Sequence, residues 1–127
     1  MAIAQARSKK KVSGARYISF RRKKLRELGR EPTLTRIGKR VLLFIRKKGG
    51  SDKNLLLNVE NANVYDPKTK KHVKSKILHV IENKANANLV RRNIITKGCI
   101  VKTEVGDARI TSRPGQEGSL NAILVKK

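Results

Sequence analysis

Val101-Lys102-Thr103-Glu104-Val105-Gly106-Asp107-Ala108-Arg109-Ile110-Thr111-Ser112 is the stretch that sets the fold class. Apolar and small side chains recur in it at every second position, the period of a strand with one buried face. Gly106-Asp107 lies in the middle, with glycine where a type II′ turn needs it. The stretch reads as a two-residue hairpin. Val105 then faces Ala108, Glu104 faces Arg109, Thr103 faces Ile110 and Val101 faces Ser112. One side of that hairpin is mostly apolar, and the other carries a Glu104–Arg109 ion pair.

Similar signals extend in both directions. Val41-Leu42-Leu43-Phe44-Ile45 is apolar on both faces and ends at Gly49-Gly50. Leu55, Leu57 and Val59 alternate with Asn54, Leu56 and Asn58 to give another strand. Asn63-Val64-Tyr65 is short and stops at Asp66-Pro67, a good turn opener. A longer strand is centred on Ile77, Leu78, Val80 and Ile81. The polar run from Ala87 to Arg92 suits a helical turn, Arg113-Pro114-Gly115 breaks the chain again, and Leu120 to Val125 makes a last strand. Short strands with Gly/Pro turns and little helix argue for a mainly β domain, a small antiparallel barrel or sandwich. Periodicity does not choose between the two.

The N-terminal part is different. The first fifty residues carry seventeen Lys or Arg against Glu27 and Glu31, most of the chain's net +23. Half of the residues from Arg7 to Arg26 are cationic, and Val12, Tyr17, Ile18, Phe20 and Leu25 are the sizeable apolar groups among them. Such a segment repels itself and cannot offset its ordering entropy by burial. Residues 1–38 therefore read as a basic, largely irregular extension and 39–127 as the β core. The extension has room for one short helix, with Ser19 as N-cap and Gly29 as terminator.

Several function classes are disfavoured. The nine acids are scattered outside any acid/base motif, and Gly49-Gly50 lacks the Lys-Ser/Thr of a phosphate-binding loop. Cys99 reads as a small buried hydrophobe and His79 as a core or rim residue. One cysteine and two histidines make no four-ligand metal site. Catalysis, a metal, a cofactor and a small-molecule substrate are thus not expected. No signal-peptide-like run opens the chain and no apolar span follows the charge, so an intracellular, reducing location is expected rather than a membrane.

What the charge does suit is a polyanion. Lys9-Lys10-Lys11, Arg21-Arg22-Lys23-Lys24 with Arg26, and Lys39-Arg40 lie in strongly cationic segments. Solubility needs far less charge than this. Arginine forks onto phosphates bidentately, and a net charge of this size predicts salt-sensitive nucleic-acid binding. Arg91-Arg92, followed by Asn93 and Lys97, and Arg113 beside Pro114-Gly115 suit either binding or the capping of carbonyls. Four aromatics are too few for a base-stacking platform, so recognition is expected through phosphate, sugar and shape.

Four strings then become familiar in combination: Gly29-Arg30-Glu31-Pro32-Thr33-Leu34-Thr35; Asn61-Ala62-Asn63-Val64 with Asp66-Pro67; Arg91-Arg92-Asn93-Ile94-Ile95-Thr96-Lys97-Gly98; and Thr111-Ser112-Arg113-Pro114-Gly115-Gln116-Glu117-Gly118. From about Arg7 to Val125 the chain resembles small-subunit ribosomal protein eight of the archaeal and eukaryotic type, in its short archaeal form. The resemblance implies a compact β-barrel with a basic arm threading into small-subunit ribosomal RNA, and neighbouring ribosomal proteins as partners. It implies a structural role in the cytoplasmic ribosome. RNA contacts would fall on Arg7, Lys9, Lys10, Lys11, Arg16, Arg21 to Lys24 and Arg30. Further ones would be Lys39, Arg40, Arg91, Arg92 and Arg113. Two departures stand out: Ser13-Gly14-Ala15 where the family commonly has Thr-Gly-Gly, and Lys84 where it has proline. An assembly factor of the same fold and a DNA-compacting protein are the competing readings.

Overall fold

A chain whose apolar residues alternate hides them by curling a sheet on itself. The computed structural model describes residues 3–4, 8–18 and 21–125, and divides the chain into two compact units, Met1–Pro32 and Thr33–Lys127. In the first unit, β1 (Ile3–Ala4) pairs antiparallel with β2 (Leu28–Gly29). The helix expected from Ser19 to Gly29 is a single 3₁₀ turn, Leu25–Glu27, and Gly29 belongs to a strand instead of ending a helix. The expected cap Ser19, with Phe20, lies outside the described residues. Helical spacing would stack Arg22 on Arg26 and Lys23 on Arg26, and like charges at those spacings oppose a helix.

The second unit holds β3 (Arg36–Ile37), β4 (Val41–Arg46), β5 (Asp52–Val59), β6 (Asn61–Asp66) and β7 (Lys71–Glu82). A 3₁₀ helix at Ala87–Arg92 follows, then β8 (Ile100–Thr103), β9 (Asp107–Ile110) and β10 (Asn121–Leu124). Strands β6 to β10 close into a five-stranded barrel. Each neighbouring pair in the meander is antiparallel, as expected. The seam between β10 and β6 is parallel. An odd number of strands that reverses direction at every turn must end this way, because the first and last strands run the same way. Beside the barrel, β5 lies between β3 and β4 in a three-stranded sheet.

The core is aliphatic: Leu56, Val64, Val101, Cys99, Ala108, Ile110 and Ala122 are buried within it. Burial also pushes the Cys99 thiol pKa up. Leu56 corrects the simple alternation read for β5, where it shared the face of Asn54 and Asn58. It is 1% exposed while Leu57 is only half-buried. In β7, register shifts between Ile77 and His79 and between Val80 and Glu82 rephase the strand. Ile77 and Val80 therefore point inward, whereas Leu78 and Ile81 face out.

The hairpin that announced the fold is present, but its tip is Glu104-Val105. Thr103 N–H donates to the Gly106 carbonyl at 3.0 Å and Gly106 N–H to that of Thr103 at 3.2 Å. Val101 consequently faces Ala108, and Arg109 faces Ile100 on one side and Ile123 on the other. The expected Glu104–Arg109 pair is not made, and Glu104 lies near Lys76, whose ammonium is bonded to Glu60 at 3.0 Å. The two registers differ by an even slide that leaves every side chain on its own face, so hydrophobic pattern cannot distinguish them. The Thr103 hydroxyl, donating to the Gly106 carbonyl at 2.7 Å, holds the observed one.

Candidate nucleic-acid interface

In the first unit the sequence Lys9 to Tyr17 folds back on itself. Lys11 N–H donates to Ala15 O at 2.7 Å, and Gly14, at φ +83°, closes the bend in the left-handed region that glycine favours. Lys10 then stands opposite Arg16, and the Lys11 ammonium sits 5.6 Å from the centroid of the Tyr17 ring. Lys9, Lys10, Lys11, Arg16, Arg22, Lys23, Lys24, Arg26 and Arg30 are all exposed. Arg7 lies outside the described residues.

Arg21 is exposed too, but its guanidinium is bonded to Glu27, whose carboxylate also accepts from Lys24 N–H at 3.5 Å. One acid thus organises the turn that presents four cations. The Arg21 hydrogen bond, helped by the Lys24 amide, holds the Glu27 carboxyl below its ordinary pKa. Since the folded value is the lower one, this support is complete above the ordinary carboxylate range and is lost as pH falls through the folded value. A carboxyl NMR titration is expected to show Glu27 protonating below the ordinary carboxylate range and moving back toward it in Arg21→Gln, with the Lys24 amide still in place. A normal midpoint in the unaltered chain would rule the pairing out.

In the second unit, topology gathers the remaining candidates. Because the meander alternates direction, the β7–β8 connection, the β9–β10 connection and the passage from β5 to β6 share one end of the barrel. Arg91 and Arg92 end the 3₁₀ helix on the first connection, and Arg113 lies on the second. Lys39 and Arg40 follow β3, whose pairing with Asn58 and Val59 sets them at the same end. All five side chains are exposed. Arg40 has a structural share as well, donating to the Gly118 carbonyl at 3.2 Å.

The uncharged residues around these cations build their support. Thr35, 2% exposed, donates its hydroxyl to the Leu56 carbonyl at 2.6 Å, and its own carbonyl accepts from Ile95 N–H at 2.9 Å. Asn93 ends the 3₁₀ helix at φ +49°, and its Oδ1 accepts from Val80 N–H at 3.2 Å beside the bulge in β7. Buried Asn83 accepts from Ala85 N–H and from the Thr96 hydroxyl, both at 3.0 Å. That Asx turn shapes the loop ahead of Lys84 without a proline. The Pro114 carbonyl accepts from Leu56 N–H at 2.9 Å, while a Cβ on Gly115 would come within 2.5 Å of Thr33 Oγ1.

Sequence reading passed over two further basic turns. Arg46-Lys47-Lys48 crowns the β4–β5 hairpin, whose Gly49 and Gly50 have φ of +86° and +80°. Lys68, Lys70 and Lys71 ring the β6–β7 turn, which Asp66 holds by accepting from Lys68 N–H and the Thr69 hydroxyl, each at 2.9 Å. The available signal was a lysine pair abutting glycine at Lys47-Lys48-Gly49, and three lysines within four residues after Asp66-Pro67. Among the described residues no His/Cys/Asp/Glu group could hold a metal ion, and no helix is long and apolar enough to cross a membrane.

Comparison with known proteins supports the same direction. The sequence model of the family described as ribosomal protein S8e matches residues 4–125. A small ribosomal subunit protein eS8 from Picrophilus torridus is 51% identical over 125 residues, covering 98% of this chain and all of the relative. Its counterpart from Methanobrevibacter smithii is 50% identical with the same coverage.

Proposed function

This chain belongs to the ribosomal protein S8e family, and from that premise we propose that it is a structural constituent of the small ribosomal subunit, binding folded ribosomal RNA in the cytoplasmic ribosome. It acts by docking and charge neutralisation, not by catalysis. The barrel fixes position, the basic arm lies in a groove between RNA helices, and the cations at the barrel end engage further phosphates.

The observation that carries this reading is the exposure of every described candidate cation, while the aliphatic residues are shut inside the barrel. The Lys10–Arg16 juxtaposition adds to it. Like charges directly opposed across a hairpin cost stability, and a phosphate between them removes the cost. In this assignment Arg7, Lys9 to Lys11, Arg16, Arg22 to Lys24, Arg26 and Arg30 contact RNA from the arm, and Arg21 mainly holds the turn. Lys39, Arg40, Arg91, Arg92 and Arg113 do so from the barrel, and neighbouring ribosomal proteins complete the surroundings.

Gradient sedimentation of the tagged protein from native lysate, before and after a high-salt wash, tests the role. Retention on mature small subunits is expected. Confinement to precursor particles would make it an assembly factor, and migration with DNA would overturn the ribosomal reading.

A further inference from the structure

The outer face of the barrel carries a feature that charge alone did not reveal. Strands β10, β6 and β7 are neighbours, and their register sets the outward side chains in two rows. One row is Ile123, Tyr65 and His72, and the other is Asn121, Asn63 and Lys74. The Tyr65 and His72 rings lie 4.9 Å apart at an interplanar angle of 41°. Asn63 Nδ2 donates to Asn121 Oδ1 at 3.1 Å, which leaves Asn63 Oδ1 and Asn121 Nδ2 outside that bond. His72, Lys74, Asn63 and Asn121 are exposed and Tyr65 is half-buried. Together they line a cleft of about 630 Å³.

At Thr111 and Ile123 this cleft meets a second one, about 760 Å³, that runs over β8, β9 and β10. Lys84, Lys97 and Arg109 border it around an apolar floor that includes Ile100 and Leu124. Neither cleft is lined by an aspartate or glutamate. The combined surface is a cationic track with aromatic faces and paired amides at one end.

We infer that this track binds a single-stranded RNA segment, with one unstacked base resting on Tyr65 and His72. Stacking accepts any base, because every base has a π face. The free amide atoms of Asn63 and Asn121 can pair with the base's edge, and Lys74, Arg109, Lys97 and Lys84 follow its backbone. The inference rests on the RNA-binding function proposed above and adds a base contact to recognition otherwise made through phosphate and shape. A duplex keeps its bases stacked inside and cannot use the site.

The test compares the full chain with Tyr65→Leu/His72→Ala, and with His72→Ala alone in case the double variant folds poorly. The probes are a ten-nucleotide single-stranded RNA, the same strand with abasic residues, and a duplex of equal length. The double variant is expected to bind the base-bearing strand roughly 5- to 150-fold more weakly, the range of one lost base stack. Its affinity for the abasic strand and the duplex, and its salt slope, should stay unchanged. His72→Ala should show a smaller loss with the same selectivity. Equal losses on all three probes, or no loss on the base-bearing strand, would overturn the stacking site while leaving salt-dependent RNA binding intact. Absence of salt-dependent binding to any probe would overturn the RNA function itself.

Discussion

Changing Arg22, Lys23 and Lys24 together to alanine is expected to weaken binding to small-subunit ribosomal RNA on the order of a hundredfold near physiological salt. The dependence of log affinity on log salt should become shallower by about two to three, close to one for each phosphate no longer neutralised. Adding Arg21→Ala should take little more from the slope, because that guanidinium is already bonded to Glu27. The contrast separates cations proposed to meet RNA from one whose guanidinium is held by Glu27. Filter binding across a salt series reads both quantities, and a triple variant with an unchanged slope would remove the arm as the anchor.

Leu56→Ala is expected to cost about 2–5 kcal/mol of folding stability. That is a large part of the ~5–15 kcal/mol that small domains possess. The side chain is 1% exposed, and the same residue's backbone accepts from Thr35 and donates to Pro114. It therefore joins the segment before β3, the central strand of the side sheet and the β9–β10 connection in one place. Each kcal/mol removed lowers the melting midpoint by roughly 4–8 °C at this size, so a fall on the order of 10–30 °C is expected in thermal unfolding. Leu78→Ala, on the outer face, should cost much less. Similar costs at the two sites would contradict the burial described for β5 and β7.

The β class, most strands and the 87–92 helical turn were legible because alternation and turn residues act locally. Barrel closure, which the family resemblance implied and the structure bears out, could not be read from periodicity, since the β10–β6 seam joins residues about sixty positions apart and leaves no local trace. The register of the 100–110 hairpin was hidden for another reason: an even slide preserves which face each residue occupies. At the interface, cationic runs could be found by counting. Counting could not show that Arg21 is held by Glu27, or that Arg40 also secures Gly118. Nor did it show that Thr35, Asn93 and Pro114, within strings that carry the family likeness, serve the scaffold. Two ring side chains seven positions apart became neighbours only through strand pairing.

The parallel seam also sets a schedule for synthesis. Asn121, Ala122 and Ile123 must reach Asn63, Val64 and Tyr65 before the barrel is complete, so closure waits for those residues to leave the translating ribosome. The cationic arm emerges earlier, more than eighty residues ahead of the strand that closes the barrel. A newborn chain therefore already carries most of its net positive charge while its barrel is still open. Chains cut short before Asn121 keep that charge and lack the strand that completes the barrel.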